Sequence, residues 1–305
     1  MARTESRSGL MRKLRPVVIP AAVVLVALLV AGCSSKAGSG PKLNWDYFFD
    51  TLLRPDDKIR FGIWLTLSIA VLSQVIGVAL GTFAALAKMS KIGPLRWIAN
   101  IYIWLFRGTP LLVQIVLFYF GLSAVKIYGW PDLVVPGATI DGAIQAGVFA
   151  LGLNEGAYFA EIVRAGILSI DPGQSEAGKA LGMTYGLIMR RIILPQAARV
   201  IVPPLGNEFN NMLKTTSLLV LISVPELYTI VNRKQGQFFA PFEFYLAAAV
   251  WYLLMTTIWS IIQAWIERKL AKGVAGASAG PSLRDRLFGG GVRTPDELPV
   301  ITGGR

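Results

Sequence analysis

The chain has no histidine and a single cysteine among its 305 residues, and only 16% of those residues are charged. Without histidine, Cys2His2 and HExxH zinc sites are excluded, as is any Ser-His-Asp or Cys-His triad. One cysteine cannot close an internal disulfide. Charge is also thin beside the roughly 25% typical of a soluble domain. What replaces it is apolar: 54% of residues are hydrophobic and the mean hydropathy is +0.55. Such a chain lies mostly in lipid, where helices satisfy their own backbone groups, so an all-α integral membrane protein is expected. The net charge is +12. A nucleic-acid binder would gather that charge on one soluble face. Here it is spread between apolar runs, as in a membrane protein with basic cytoplasmic loops, and no nucleic-acid partner is expected.

The N-terminus begins with Arg3, Arg7, Arg12, Lys13 and Arg15, then runs apolar from Val17 to Gly32 and ends in Val30-Ala31-Gly32-Cys33-Ser34-Ser35. A basic start, an apolar middle and small residues before a break describe a secretory signal. The last stretch resembles the lipobox of bacterial lipoproteins, in which the cysteine (here Cys33) is lipidated. An uncleaved anchor helix fits the same residues. Residues 1–45 are therefore read as a basic N-terminus with a signal-like or anchor helix and a linker, and 271–305 as a disordered cytoplasmic tail rich in Gly, Ala and Ser.

Five apolar stretches between them have the length of about 20 residues that a bilayer requires: 61–86, 108–125, 146–170, 199–224 and 244–266. Residues 87–107 carry Lys88, Lys91, Arg96 and Arg107 among Trp97, Tyr102 and Trp104, which predicts a linker and an interfacial helix. If the N-terminus, 87–107, 164–199 and the C-terminal tail are cytoplasmic, that side holds most of the 30 Lys and Arg, as the positive-inside rule demands. Lys214 alone falls in the middle of a span.

The segment between the third and fourth spans is the most informative. It reads Asp171-Pro172-Gly173-Gln174-Ser175-Glu176-Ala177-Gly178-Lys179-Ala180-Leu181-Gly182 and continues to Ile192-Ile193-Leu194-Pro195. Asp171-Pro172 starts a helix, Gly182 breaks it, and a second short helix follows. In register, Glu176, Ala177, Gly182, Ile192, Leu194 and Pro195 resemble the cytoplasmic motif of bacterial ABC importer permeases. Gly178 departs from it, standing where the motif has alanine. Phe106-Arg107-Gly108-Thr109-Pro110-Leu111-Leu112-Val113-Gln114 is similar to the second-span signature of the polar amino acid branch of that family. So are Ala157 to Arg164 and Asn207-Glu208-Phe209 with Leu213 to Leu218. The resemblance covers about residues 60–266.

It implies a type I ABC importer transmembrane fold: five core helices in a domain over 46–270, with a coupling loop at about 171–198. It also implies a multi-pass subunit of the bacterial cytoplasmic membrane. A separate cytoplasmic ATPase would dock on the loop and an extracytoplasmic amino-acid-binding protein would deliver substrate. A second permease copy or a sister permease would complete a dimer. ATP and magnesium belong to the ATPase, and no cofactor or metal is expected in this chain. The residues agree. Gly173 to Ala180 falls one residue short of a Walker A loop, because Ala180 stands where Ser or Thr must hold magnesium, and Glu176 would repel phosphate. Small residues at Ala177, Gly178 and Ala180 suit close approach to a partner, and Glu176 suits a helix start.

Ionisable residues inside spans default to functional candidates. The candidate substrate path is Gln114, Asn154, Glu155, Glu208, Asn211 and Lys214. Asn207, Asn211 and Lys214 are spaced for one helical face. Similar depth in their spans lets Glu155 and Lys214 either form a buried ion pair or hold the two ends of a zwitterionic amino acid. Gly77-x-x-x-Gly81 and Gly152-x-x-x-Gly156 permit close helix packing. The alternative function is a secondary transporter or channel driven by an ion gradient, but such folds are built from repeats and none is visible. Which amino acid is carried stays open at this point.

Overall fold

The structure is a computed structural model that describes residues 43–135 and 138–271. The chain divides into two units, Met1–Asn44 and Trp45–Arg305, and every element below belongs to the second. The signal-like segment with Cys33 and the tail from residue 272 lie outside the described residues.

Helix α1, Trp45–Leu53, leads into α2, Asp57–Met89. Asp56 caps α2, its side chain accepting from the Ile59 N–H at 3.0 Å. Helix α3, Gly93–Gly108, follows after a short turn. Helix α4, Leu111–Ala124, lies at 106° to it. The bend has a local cause. Pro110 has no N–H to give to the Phe106 carbonyl, and it forces Thr109 into extended backbone at φ −117°, ψ 147°. A two-stranded antiparallel hairpin, Leu133–Val135 and Ala138–Ile140, precedes α5, Gly142–Leu168. Then come α6, Pro172–Ala180, and α7, Tyr185–Ile188. A π-turn, Met189–Ile193, joins α7 to α8, Leu194–Thr215, which tightens to 3-10 geometry over Thr216–Ile222. Helices α9, Leu227–Phe238, and α10, Pro241–Ala271, complete the unit.

Helices α2 and α10 are each long and apolar enough to cross a membrane, and the count among the described residues rises to four if each bent pair is one span. The expected second span over 108–125 is corrected. Only α4 occupies it, about 21 Å long at 1.5 Å per residue, and it forms a broken element with α3. The helix expected at 87–107 is present as α3, but Arg107 sits in its last turn, some 21 Å from its start. That places it deep along the broken element, away from the loop assigned to it.

The central contact is between α2 and α5, and both glycine pairs serve it. A methyl on Gly77 would come to 2.5 Å of Glu155 Cγ, and one on Gly81 to 2.7 Å of the Gly156 carbonyl. From the other side, a methyl on Gly152 would meet Ile76 at 2.8 Å, and one on Gly156 the Tyr102 hydroxyl at 2.5 Å. Four glycines thus form one seam, where backbone lies against backbone as small-xxx-small packing requires. Helix α5 is buried on most of its faces and forms the centre of the bundle.

A second anchor was not foreseen from the sequence. Glu226, fully buried, caps α9 by accepting from the Thr229 N–H at 2.7 Å and the Thr229 hydroxyl at 3.0 Å. It also accepts from Tyr252 Oη on α10 at 2.7 Å and from Thr66 Oγ1 on α2 at 3.3 Å. One carboxylate therefore ties three helices together. Glu226→Ala should destabilise the protein by about 2–4 kcal/mol, the sum of a lost cap and of donors left buried without an acceptor. Tyr252→Phe should cost only about 1 kcal/mol. Thermal unfolding in detergent checks the ranking, and equal midpoints for Glu226→Ala and wild type would refute it.

Candidate functional site

The break at Pro110 leaves carbonyls at the end of α3 without their helical donors. Two of the predicted path residues close this gap. Gln114 Nε2 donates to the Phe106 carbonyl at 2.9 Å, to the Thr109 carbonyl at 3.1 Å and to Thr109 Oγ1 at 2.7 Å. Asn154 Nδ2, from α5, donates to the same Phe106 carbonyl at 3.1 Å and to Gln114 Oε1 at 3.0 Å. Gln114 is buried by this role. Asn154 ties the broken element to α5.

Beside that knot lies a cleft of about 350 Å³ lined by Leu111, Leu151, Asn154, Glu155, Tyr158, Glu208, Asn211, Met212 and Thr215. Four of the six predicted path residues meet here: Asn154, Glu155, Glu208 and Asn211. Glu155 is buried and accepts from Gln74 Nε2 at 3.1 Å. Glu208 is half-buried and lines the cleft from α8. The lining contains two carboxylates and no Lys or Arg. Tyr158, Leu111, Leu151, Met212 and Thr215 were not anticipated. Tyr158 and Thr215 could have been found by extending the α5 and α8 faces by one turn.

Lys214 departs from expectation. It is exposed, lies outside the cleft lining, and takes part in none of the four ion pairs among the described residues. The Glu155–Lys214 pair is absent within the chain. The reason is azimuth. The cleft face of α8 is Glu208, Asn211, Met212 and Thr215, at helical spacing. Asn207 instead turns to α10, accepting from Gln263 Nε2 at 3.2 Å. Equal depth along two helices does not make two side chains face each other.

The second candidate surface is the elbow from Asp171 to Pro195. Asp171 caps α6 by accepting from the Gly173 N–H at 2.8 Å. The helix ends in a Schellman turn: the Gly182 N–H donates to the Lys179 carbonyl at 2.9 Å and the Met183 N–H to the Gly178 carbonyl at 3.0 Å. Gly182 holds φ at +75°, a value that glycine adopts without strain. Pro195 cannot donate backward, and the turn before it is π, with the Leu194 N–H reaching Met189. Glu176, Ala177, Leu194 and Pro195 are exposed, and Ile192 is half-buried. Leu181 and Tyr185 add apolar surface at 81% and 68% exposure.

Gly178, the departure from the motif, has a physical reason. It is buried against α7 and the π-turn, and a methyl there would lie 2.8 Å from Ile188 Cγ1 and 3.4 Å from Ile192 Cδ1. The glycine lets α6 seat on Ile188.

The bundle, the polar cleft at its centre and the protruding elbow together define the transmembrane subunit of a transporter. The chain matches the family described as "Binding-protein-dependent transport system inner membrane component" over residues 77–272, and it belongs to that family. It is 40% identical over 263 residues to the arginine transport system permease protein ArgU of Corynebacterium glutamicum, covering 83% of this chain and 80% of that one. It is also 40% identical over 218 residues to the L-cystine transport system permease protein TcyB of Bacillus subtilis, covering 70% and 87%. Among solved structures, an amino acid ABC transporter crystallised with histidines aligns at a TM-score of 0.65 and 40% identity, covering 72% of this chain and 98% of that one. The MetNI methionine transporter aligns at 0.58 with 18% identity, a likeness of fold alone. The chain thus has the type I importer fold and is a permease component, with ATP hydrolysis carried out by a separate subunit. The ion-gradient alternative is not favoured.

The seating of α6 gives a test. Gly178→Ala should gain up to about 1 kcal/mol of helix propensity but lose about 1–3 kcal/mol to overpacking, a net destabilisation. Adding Ile188→Ala should cost less than the sum of the two single changes, because it removes the atoms that clash. Thermal midpoints of the four proteins give the coupling, and strict additivity would contradict the packing.

Proposed function

We propose that this chain is the permease of an ATP-driven importer for amino acids with a positively charged side chain, in the cytoplasmic membrane of a bacterium. A single observation carries the choice of substrate: the cleft sets Glu155 and Glu208 beside the amides of Asn154 and Asn211 with no basic residue in its lining. Two carboxylates in one cleft favour a ligand bearing two cations. An α-ammonium and a basic side chain supply them. The volume falls within the range of small-molecule sites. Relatives named for arginine and for cystine bracket the class, and the charge of the cleft favours the first.

The exposed elbow from Glu176 to Pro195 is read as the docking surface for a cytoplasmic ABC ATPase. Glu176 sits near the helix start, where its charge is favoured, and Ala177, Leu181 and Tyr185 offer the apolar contact. An extracytoplasmic amino-acid-binding protein would deliver the substrate, as the family description implies. Along α8, Asn211 and Lys214 are exposed and Glu208 is half-buried. Hydrocarbon would penalise them by about 2.5 kcal/mol or more for each charge. A second permease copy or a sister permease covering that face removes the penalty.

The test is uptake into vesicles by the permease reconstituted with its ATPase and binding protein. Labelled arginine and lysine should enter on ATP addition, and glutamate should not. Glu208→Gln should weaken arginine transport by about tenfold, equivalent to about 1.4 kcal/mol. Uptake of glutamate at a rate matching arginine would overturn the reading.

A further inference from the structure

The cleft leaves one part of its substrate without a counter-charge. An amino acid carries an α-carboxylate, and the lining offers that group only carboxylates, amides, a hydroxyl, a phenol and apolar side chains. A cation stands against one of the lining residues. The Arg107 guanidinium lies over the ring of Tyr158, 5.2 Å from its centroid, and Tyr158 is part of the lining. Arg107 is exposed and joins none of the four ion pairs among the described residues.

Its position argues that this is a working side chain. It occupies the last turn of α3, where the helix dipole favours a cation, about 21 Å from the helix start. At such depth an arginine is costly and marks a ligand path or a pairing. The break at Pro110 holds it there: Gln114 and Asn154 fasten the Phe106 carbonyl, one residue before Arg107. Asn154 is one residue from Glu155. The same knot therefore fixes the cation beside Tyr158 and the carboxylate inside. The planar guanidinium stacks on an aromatic face and grips a carboxylate through two parallel N–H donors, so Tyr158 can keep it oriented with its donor edge free.

We infer that Arg107 is the anchor for the substrate's α-carboxylate, held at the mouth of the cleft by the Tyr158 ring while Glu155 and Glu208 take the two cationic groups. This rests on the reading of the cleft as a site for cationic amino acids. Lys214, at the end of α8, is not among the residues that line the cleft and has no part in it.

The test crosses a change in the protein with a change in the ligand. Binding of labelled L-arginine to the permease–ATPase complex in lipid nanodiscs is measured without the binding protein, and competed with agmatine, which is arginine without its carboxylate. Wild type should prefer arginine about tenfold or more, as expected of a bidentate contact. Arg107→Gln should bring the two ligands within about twofold by weakening arginine alone; retained agmatine binding shows that the variant is folded. Arg107→Lys should keep part of the preference, and Lys214→Met all of it. The inference fails if Arg107→Gln still discriminates as wild type does, or if wild type does not discriminate at all. A wild-type complex that binds neither ligand would overturn the cationic reading and this inference together.

Discussion

The close approach of α2 and α5 is the contact on which the rest of the bundle depends. Gly77, Gly81, Gly152 and Gly156 remove the side chains that would hold the two helices apart. With them absent, Gln74 comes within hydrogen-bonding distance of Glu155, and the Tyr102 hydroxyl reaches the Leu153 carbonyl at 2.6 Å. The seam thereby orders the functional face of α5. Glu155 lies on it, Asn154 lies beside it, and Tyr158 follows one turn on. A bulkier side chain at any of the four positions would shift the acid as well as the packing.

A second constraint is that polar groups away from water need partners. The fold meets it at two helix interruptions. At Pro110 the freed Phe106 carbonyl is taken by Gln114 and Asn154. At the start of α9 the free Thr229 N–H is taken by Glu226. Between α8 and α10, Gln263 donates to the Pro203 carbonyl at 3.1 Å and Trp259 Nε1 to the Gly206 carbonyl at 2.7 Å, bonds that tie the two helices together. Breaks repaired from neighbouring helices let irregular backbone exist where it borders a cavity. The cleft is lined from α4, α5 and α8, and its two carboxylates come from α5 and α8.

Much of this was legible in the sequence. The elbow was, because its signals are local: Asp171-Pro172 to start, Gly182 to stop and Pro195 to end the connection. Glu155 and Glu208 were legible as candidate path residues, since they are conspicuous in apolar surroundings whatever they pack against, but a cleft that joins them without Lys214 was not. What the residues could not convey was direction. Hydropathy registers how apolar a window is and not whether it bends, so Arg107 was assigned to a cytoplasmic loop although the break at Pro110 leaves it beside the cleft. Depth is readable and azimuth is not, so Lys214 and Glu155 read as a buried pair or as the two ends of a zwitterion site, and the polar face of α8 falls one residue off. Glu226 looked like a loop acid, because its partners Thr66 and Tyr252 lie far from it in sequence. Gln114 reads from the sequence as a candidate path residue, and its use as a cap follows only from the geometry of the break.

The account turns on an acidic cleft that receives a doubly cationic amino acid between α5 and α8. The most direct measurement is a structure of the assembled permease and ATPase with L-arginine present in excess. Ligand density between the carboxylates of Glu155 and Glu208 is the predicted result. Density that leaves this cleft empty and lies elsewhere along the path would contradict the account.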